Sequence, residues 1–266
     1  AGFTLLPVGL AHPLISQNIS FMTIMAATIV LGGLGFGTIH DLFSYRAVLM
    51  RRKNPWKHLK VNSKISFSST IVLILVGSLF YGLLENKEIL DGLKIGSQSF
   101  LYFIQITIGR TAGFNIMEIG DLALPTLLVL IILMFIGGAS GSTAGGIKTS
   151  TFTLVLMNAI STIRGRKRVE LFKHTIPVEM LNLALSVFLF TLGGVLLGIF
   201  LLTITDGHLG LIRIVFEQVS AFCTVGLSMG ITSELSSAGK IILMISMLIG
   251  RIGTVTLAFA LTRRQK

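Results

Sequence analysis

Between Leu122 and Ile160 the chain reads as one membrane-spanning helix interrupted in its middle. Leu122 to Ile136 is almost wholly apolar and Phe152 to Ile160 resumes the pattern, but between them stands Gly137-Gly138-Ala139-Ser140-Gly141-Ser142-Thr143-Ala144-Gly145-Gly146-Ile147-Lys148. Five glycines, three hydroxyls and a lysine at that depth would leave backbone donors and acceptors unpaired in lipid, at roughly several kcal/mol each. The spacing therefore predicts a broken helix. Irregular backbone survives at membrane depth only where it is buried in protein or lines a watery cavity, so the break points to a conduction pathway. A simple glycine kink needs one or two glycines and no lysine.

Two soluble-protein motifs suggest themselves and fail. Gly141 to Gly146 has the spacing of a phosphate-binding loop, but Ile147 intrudes before Lys148 and an apolar helix precedes it rather than a strand. The GGLGFG run at Gly32 to Gly37 lacks the dinucleotide-binding spacing. Composition places the whole chain among polytopic membrane proteins, with 52% hydrophobic and 12% charged residues and a mean hydropathy of +0.86. The single cysteine, Cys223, excludes an internal disulfide framework and reads as a small buried residue behind a loop. The five histidines show no metal-ligand spacing, so no metal site is expected beyond ions in transit.

A net charge of +11 could suggest a nucleic-acid binder, but its distribution argues for a membrane topology instead. Seven basic residues fall between His40 and Lys64, five between Ser161 and Thr175, and three at the C-terminus. By the positive-inside rule these segments are cytoplasmic, attracted to anionic lipid, and so is the C-terminus. Acids collect in the alternate segments, at Glu85, Glu88, Asp91, Glu118, Asp121, Asp206, Glu217 and Glu234, which are expected to face outside. No nucleic-acid partner is expected.

Taken in order, Pro13 to Ile39 is a first expected span, with glycines at its inner end for close helix approach. Ile65 to Leu84 is a second. Ser97 to Gly109 is apolar but only thirteen residues long, the length of a re-entrant segment, and Thr111-Ala112-Gly113-Phe114-Asn115 follows it. After the broken helix and the second basic loop the pattern recurs: Val178 to Ile204 spans, Leu211 to Phe222 is short, Thr224-Val225-Gly226-Leu227-Ser228 follows, and Lys240 to Leu261 descends. Gly113 and Gly226 are 113 residues apart, and Ala1-Gly2-Phe3 echoes Ala112-Gly113-Phe114. The expectation is an all-α membrane protein of repeated span, pore helix, filter and span units, the organisation of potassium-channel-like pores. Its parts are residues 1–64, the end of a second unit; 65–175, a third unit holding the break; and 176–266, a fourth unit with a basic tail. The opening in mid-motif suggests a chain truncated at its N-terminus.

Four motifs now carry a resemblance over essentially the whole chain: Arg110-Thr111-Ala112-Gly113-Phe114-Asn115, Gly141 to Lys148, Ser220-Ala221-Phe222-Cys223-Thr224-Val225-Gly226-Leu227, and Ile249-Gly250-Arg251-Ile252-Gly253. In that order the chain resembles the Trk/Ktr/HKT superfamily of potassium transporters, and within it the membrane subunit of Ktr-type uptake systems. The resemblance implies four units arranged pseudo-fourfold around one pore, a cytoplasmic-membrane location, a homodimer, and a cytosolic ring of nucleotide-binding regulatory subunits. It implies potassium as the transported ion, with sodium co-binding allowed, and no covalently bound cofactor. Carbonyls of Ala1, Gly2, Thr111, Ala112, Gly113, Thr224, Val225 and Gly226 would replace the ion's hydration shell, and glycine at the key position goes with potassium in that family. The short helices would aim their carbonyl ends at the inner cavity. The gate would be Gly138, Ser140, Gly141, Ser142, Thr143, Gly145 and Gly146, with Lys148 and Arg251 as the basic residues within spans. A cation there costs roughly 3 kcal/mol unless it finds partners. Arg251 is expected to grip hydroxyls or carbonyls of the broken segment, Lys148 to reach the inner interface, and Arg110 to brace its own filter loop.

Two other readings stand beside transport. An intramembrane protease would use Ser140 or Ser142 as nucleophile and needs a general base in a facing span, where the expected topology places no histidine. A non-conducting relic would lack the first one and a half units.

Overall fold

The computed structural model describes residues 18–44, 59–85, 95–114, 119–166, 168–172 and 174–252. Ala1, Gly2, Phe3, Pro13, Asn115 and the last turns of the final expected span therefore lie outside the described residues. The described chain is helical almost throughout. Its helices are α1 (Ile19–Leu34), α2 (Phe36–Phe43), α3 (Val61–Leu84), α4 (Ile95–Thr111), α5 (Leu124–Phe135), α6 (Thr149–Ile163), α7 (Val178–Asp206), α8 (Leu211–Phe222) and α9 (Ser237–Ile252).

Helices α3 and α7, 24 and 29 residues long, reach about 36 and 43 Å at the helical rise, enough to cross a bilayer. Each turns bulky apolar residues outward, Leu75, Leu79 and Leu83 on α3, Leu196, Leu197 and Phe200 on α7. Inward, Thr70, Ile74, Gly77 and Tyr81 of α3 repeat at helical spacing and bury a stripe against α4 and α5. Tyr81, Ile106, Leu130, Leu133, Met134, Phe216, Val219, Phe222 and Leu227 form the main core, which joins the two pore helices α4 and α8 across α5. Lipid is as apolar as this core, so close packing rather than transfer from water holds it.

Three expectations are corrected. The first span does not run to Ile39: α1 ends at Leu34 and turns by 106° into α2. Gly35 takes φ +76°, and a Cβ there would lie 2.6 Å from the Ser140 carbonyl oxygen, so only glycine fits. The break is held from a distance, since the Ala139 amide donates to the Gly33 carbonyl at 2.8 Å and the Phe36 amide to Gly141 at 3.3 Å. Helix α4 has seventeen residues rather than thirteen, because Arg110, which ended the apolar run in the sequence, is buried and satisfied inside the protein. Lys64, assigned above to a cytoplasmic loop, sits buried in the first turn of α3, with its ammonium 5.9 Å from the centre of the Phe172 ring. Phe172 belongs to a feature the sequence did not announce, a two-stranded antiparallel hairpin of β1 (Glu170–Leu171) and β2 (His174–Thr175) with Glu170 opposite Thr175.

Candidate functional site

Both short helices end in the same kind of turn. At the end of α4 the amides of Ala112 and Gly113 donate back to the Ile108 carbonyl at 2.9 and 3.3 Å; at the end of α8 those of Thr224 and Val225 donate to Ala221 and Ser220 at 3.0 and 2.9 Å. Amides are thus consumed by the helix ends. Among the described residues no backbone hydrogen bond ends on the carbonyls of Ala112, Gly113, Thr224, Val225 or Gly226. Gly113 takes φ +74°, and a Cβ on it would overlap the Val225 carbonyl oxygen. The turns that follow α4 and α8 therefore touch, glycine against backbone.

The broken segment resolves the cost that its composition posed. Chain leaves α5 at Ile136 and returns at Ile147, and the two residues pair as an isolated bridge, with the Ile147 amide donating to the Phe135 carbonyl at 3.2 Å. Inside the loop the Thr149 amide donates to Gly138 at 3.0 Å and Ser142 to Ala139 at 3.1 Å, while the Ser140 and Ser150 hydroxyls pair at 2.8 Å. The protein thus supplies the partners that lipid cannot. The flanks, Ile136 to Ala139 and Ala144 to Gly145, are buried, whereas Gly141 and Thr143 at the tip are exposed. A Cβ on Gly145 would overlap the Thr224 hydroxyl, and one on Gly146 would lie 3.2 Å from the Cys223 sulfur. So the exit of the loop packs on the turn that follows α8, against the thiol of Cys223, which is buried as expected.

The three basic residues fall differently from one another. Arg251 donates to the Thr143 carbonyl at the exposed tip, the kind of partner expected of it. Lys148 turns back to donate to the Ala144 carbonyl, so its ammonium is bonded to the loop itself. Arg110 braces a loop other than its own: its Nε and Nη2 donate to the carbonyls of Ile136 and Gly137 at 3.2 and 2.7 Å.

Three of the acids in the segments expected to face outside are buried. Glu217, counted with the outward-facing acids, is buried and accepts from Ser228 Oγ at 2.9 Å and from Thr232 Oγ1, tying down the chain that follows Gly226. Asp206 is fully buried and accepts from the Ser236 amide and hydroxyl at 2.8 and 2.9 Å, fixing the start of α9. Glu85 is buried as well. A signal for Glu217 was present, since it is the one acid of a short helix that reads as re-entrant.

Of the residues singled out from the sequence, Ala1 and Gly2 are outside the described residues; Gly113 packs on Val225 and Gly226, Gly145 on Thr224, and Arg251 reaches Thr143. Thr111 and Ala112 from the third filter turn and Thr143 from the loop tip line one open cavity of about 250 Å³ with Thr28, Ile29, Gly32, Gly33 and Phe114. Helix α4 ends at that cavity, which puts the negative pole of its dipole there, a favourable place for a cation.

Comparison with known proteins bears on this arrangement. A family model described as TrkH, cation transport protein, matches residues 1–265. The chain is 36% identical over 265 residues to Ktr system potassium uptake protein B of Vibrio alginolyticus, covering 99% of this chain and 56% of that protein. It is 36% identical to the protein of the same name in Bacillus subtilis, covering 100% and 58%. It is 34% identical to potassium/sodium uptake protein NtpJ of Enterococcus hirae, covering 98% and 56%. Its fold superposes on the crystal structure of the potassium transporter TrkH from Vibrio parahaemolyticus with a TM-score of 0.77 at 18% identity, over 98% of this chain and 55% of that one. The chain spans about half the length of the curated relatives it matches.

Proposed function

We propose that this chain, which belongs to the TrkH family of cation transport proteins, supplies the third and fourth units and the end of the second of a pore that takes up potassium through a carbonyl-lined filter above an intramembrane gate. The family is one of membrane transporters and not of enzymes. The observation that carries the reading is the shared cavity: residues of the third filter turn and the tip of the broken segment face the same space, and Arg251 grips that tip.

In this reading Ala1, Gly2, Thr111, Ala112, Gly113, Thr224, Val225 and Gly226 dehydrate the ion with backbone oxygens. Gly138 to Gly146 lie across the path below, with Lys148 and Arg251 as their fastenings. The units divide at 64/65 and 175/176. Sodium alongside potassium fits the printed name of one relative, potassium/sodium uptake protein. The pore sits in the cytoplasmic membrane with basic loops and C-terminus inside, forms a homodimer, and docks a cytosolic nucleotide-binding ring on its basic face. Protease chemistry finds no support: Ser140 pairs with Ser150, and the Ser142 hydroxyl is buried with no hydrogen-bond partner.

The test is growth. The full-length protein is expected to rescue an uptake-deficient bacterium at low potassium, and Gly113→Leu to abolish rescue while still reaching the membrane, since the new side chain meets the Val225 carbonyl. Undiminished potassium flux through Gly113→Leu would sink the filter assignment.

A further inference from the structure

Arg110 is the most deeply buried cation of the described chain, 4% exposed, and no carboxylate lies within ion-pair distance of it among the described residues. Its hydrogen bonds go to Ile136 and Gly137, the carbonyls where α5 ends and the broken segment begins. An arginine fork on two adjacent helix-end carbonyls combines charge-assisted hydrogen bonds with the negative pole of the helix dipole. Arg110 also stands directly before Thr111, at the cavity. One side chain thus links the third filter turn to the upstream end of the loop.

The 113-residue register sharpens this. It sets Arg110 against Cys223 and Ile136–Gly137 against Ile249–Gly250. In the fourth unit no arginine reaches the inner helix from that position, and α9 continues through Gly250 to Ile252. In the third, the downstream end of the loop is also fastened, through the Ile147 amide on Phe135 and the packing of Gly145 and Gly146 on Thr224 and Cys223. Only the tip, Gly141 to Thr143, is left with exposed residues.

The geometry points to Arg110 as a positioning residue that pins the upstream hinge of the gate to the third filter in the closed arrangement, a fastening given up when the gate opens. This rests on the broken segment being the gate. With the hinge released, the closed arrangement loses a fastening that the open one does not need, and the closed population falls.

The experiment is potassium flux through the full-length protein in liposomes without its regulatory partner. Arg110→Met removes the donors and keeps the bulk; the expected result is a leak raised about tenfold, the scale of a charge-assisted hydrogen bond lost from one state. Arg110→Lys keeps the charge but not the fork, with about a threefold rise. In a protein lacking several residues between Ala139 and Gly145, Arg110→Met is expected to change flux less than about twofold, because the hinge then has no gate to position. A merely structural arginine would lower the amount of folded protein equally in both backgrounds and leave leak per channel unmoved. Parent-level leak in Arg110→Met, with the loop deletion itself leaky, overturns the hinge and spares the gate. A deletion that does not leak overturns both. If Arg110→Met fails to reach the membrane, Arg110→Lys decides alone, and parent-level leak in it overturns the hinge.

Discussion

The helices that follow the two glycine turns carry the same dipeptide and treat it in opposite ways. α5 gives up its helix just before Ile136–Gly137, whereas α9 carries Ile249–Gly250 as ordinary helix to Ile252. In the fourth unit Gly250 lies so close to the end of α8 that a Cβ would overlap the Phe222 carbonyl oxygen. In the third, the corresponding carbonyls are drawn off by Arg110 and the glycines beyond them turn back on themselves. The dipeptide is therefore not what breaks the helix. A helix in a membrane stops where its backbone groups find better partners outside it, and the segment after α5 finds those partners on α1, α4 and α9.

The contrast breaks most sharply at Gly250. Gly250→Ala is expected to destabilise the protein by about 2 kcal/mol or more, because the methyl group meets main chain that cannot rotate away. Thermal unfolding in detergent checks it, with Gly37→Ala as comparison. Gly37 is an exposed position in α2 with nothing within 4 Å of its Cβ site, so alanine there should hold or raise stability. Equal losses in both would remove the close approach from the account.

A smaller effect is expected at Glu217, which the register sets against Ile104. It ties the chain after Gly226 through Ser228 and Thr232, a brace the third unit lacks at that position. Glu217→Gln keeps the shape and weakens two charge-assisted hydrogen bonds, a cost of about 1–3 kcal/mol. Ion selectivity measured on the same variant tells whether the brace serves the filter or stability alone. A variant as stable and as selective as its parent would make the brace idle.

The repeat, the break and the two glycine turns were legible in the sequence because each is a local violation of an otherwise apolar pattern. What was not legible depends on residues far apart in the chain. The turn at Gly35 needs Ala139 and Gly141 to hold it, so an apolar run to Ile39 read as one continuous span. Arg110 was read as bracing its own filter loop because a sequence places its neighbours first; its partners are 26 and 27 residues away. The burial of Glu217 and Asp206 was not legible either, because their hydroxyl and amide donors come from 11 and 30 residues further along the chain. Lys148 was sent to the interface for want of a partner, and Ala144 provides one. The sodium, dimer and regulatory-ring expectations came from the resemblance alone.

All of these contrasts converge on the loop between Gly138 and Gly146, held at both ends and open at its tip. The measurement that bears on it most directly is potassium flux through a reconstituted full-length variant lacking several residues between Ala139 and Gly145, with the regulatory partner absent. A gate predicts a folded variant that conducts more than its parent, with Arg251→Ala moving the same way by less, since the loop then loses one fastening and keeps its bulk. A folded variant that conducts no more than the parent would make the broken helix a packing feature and contradict the account.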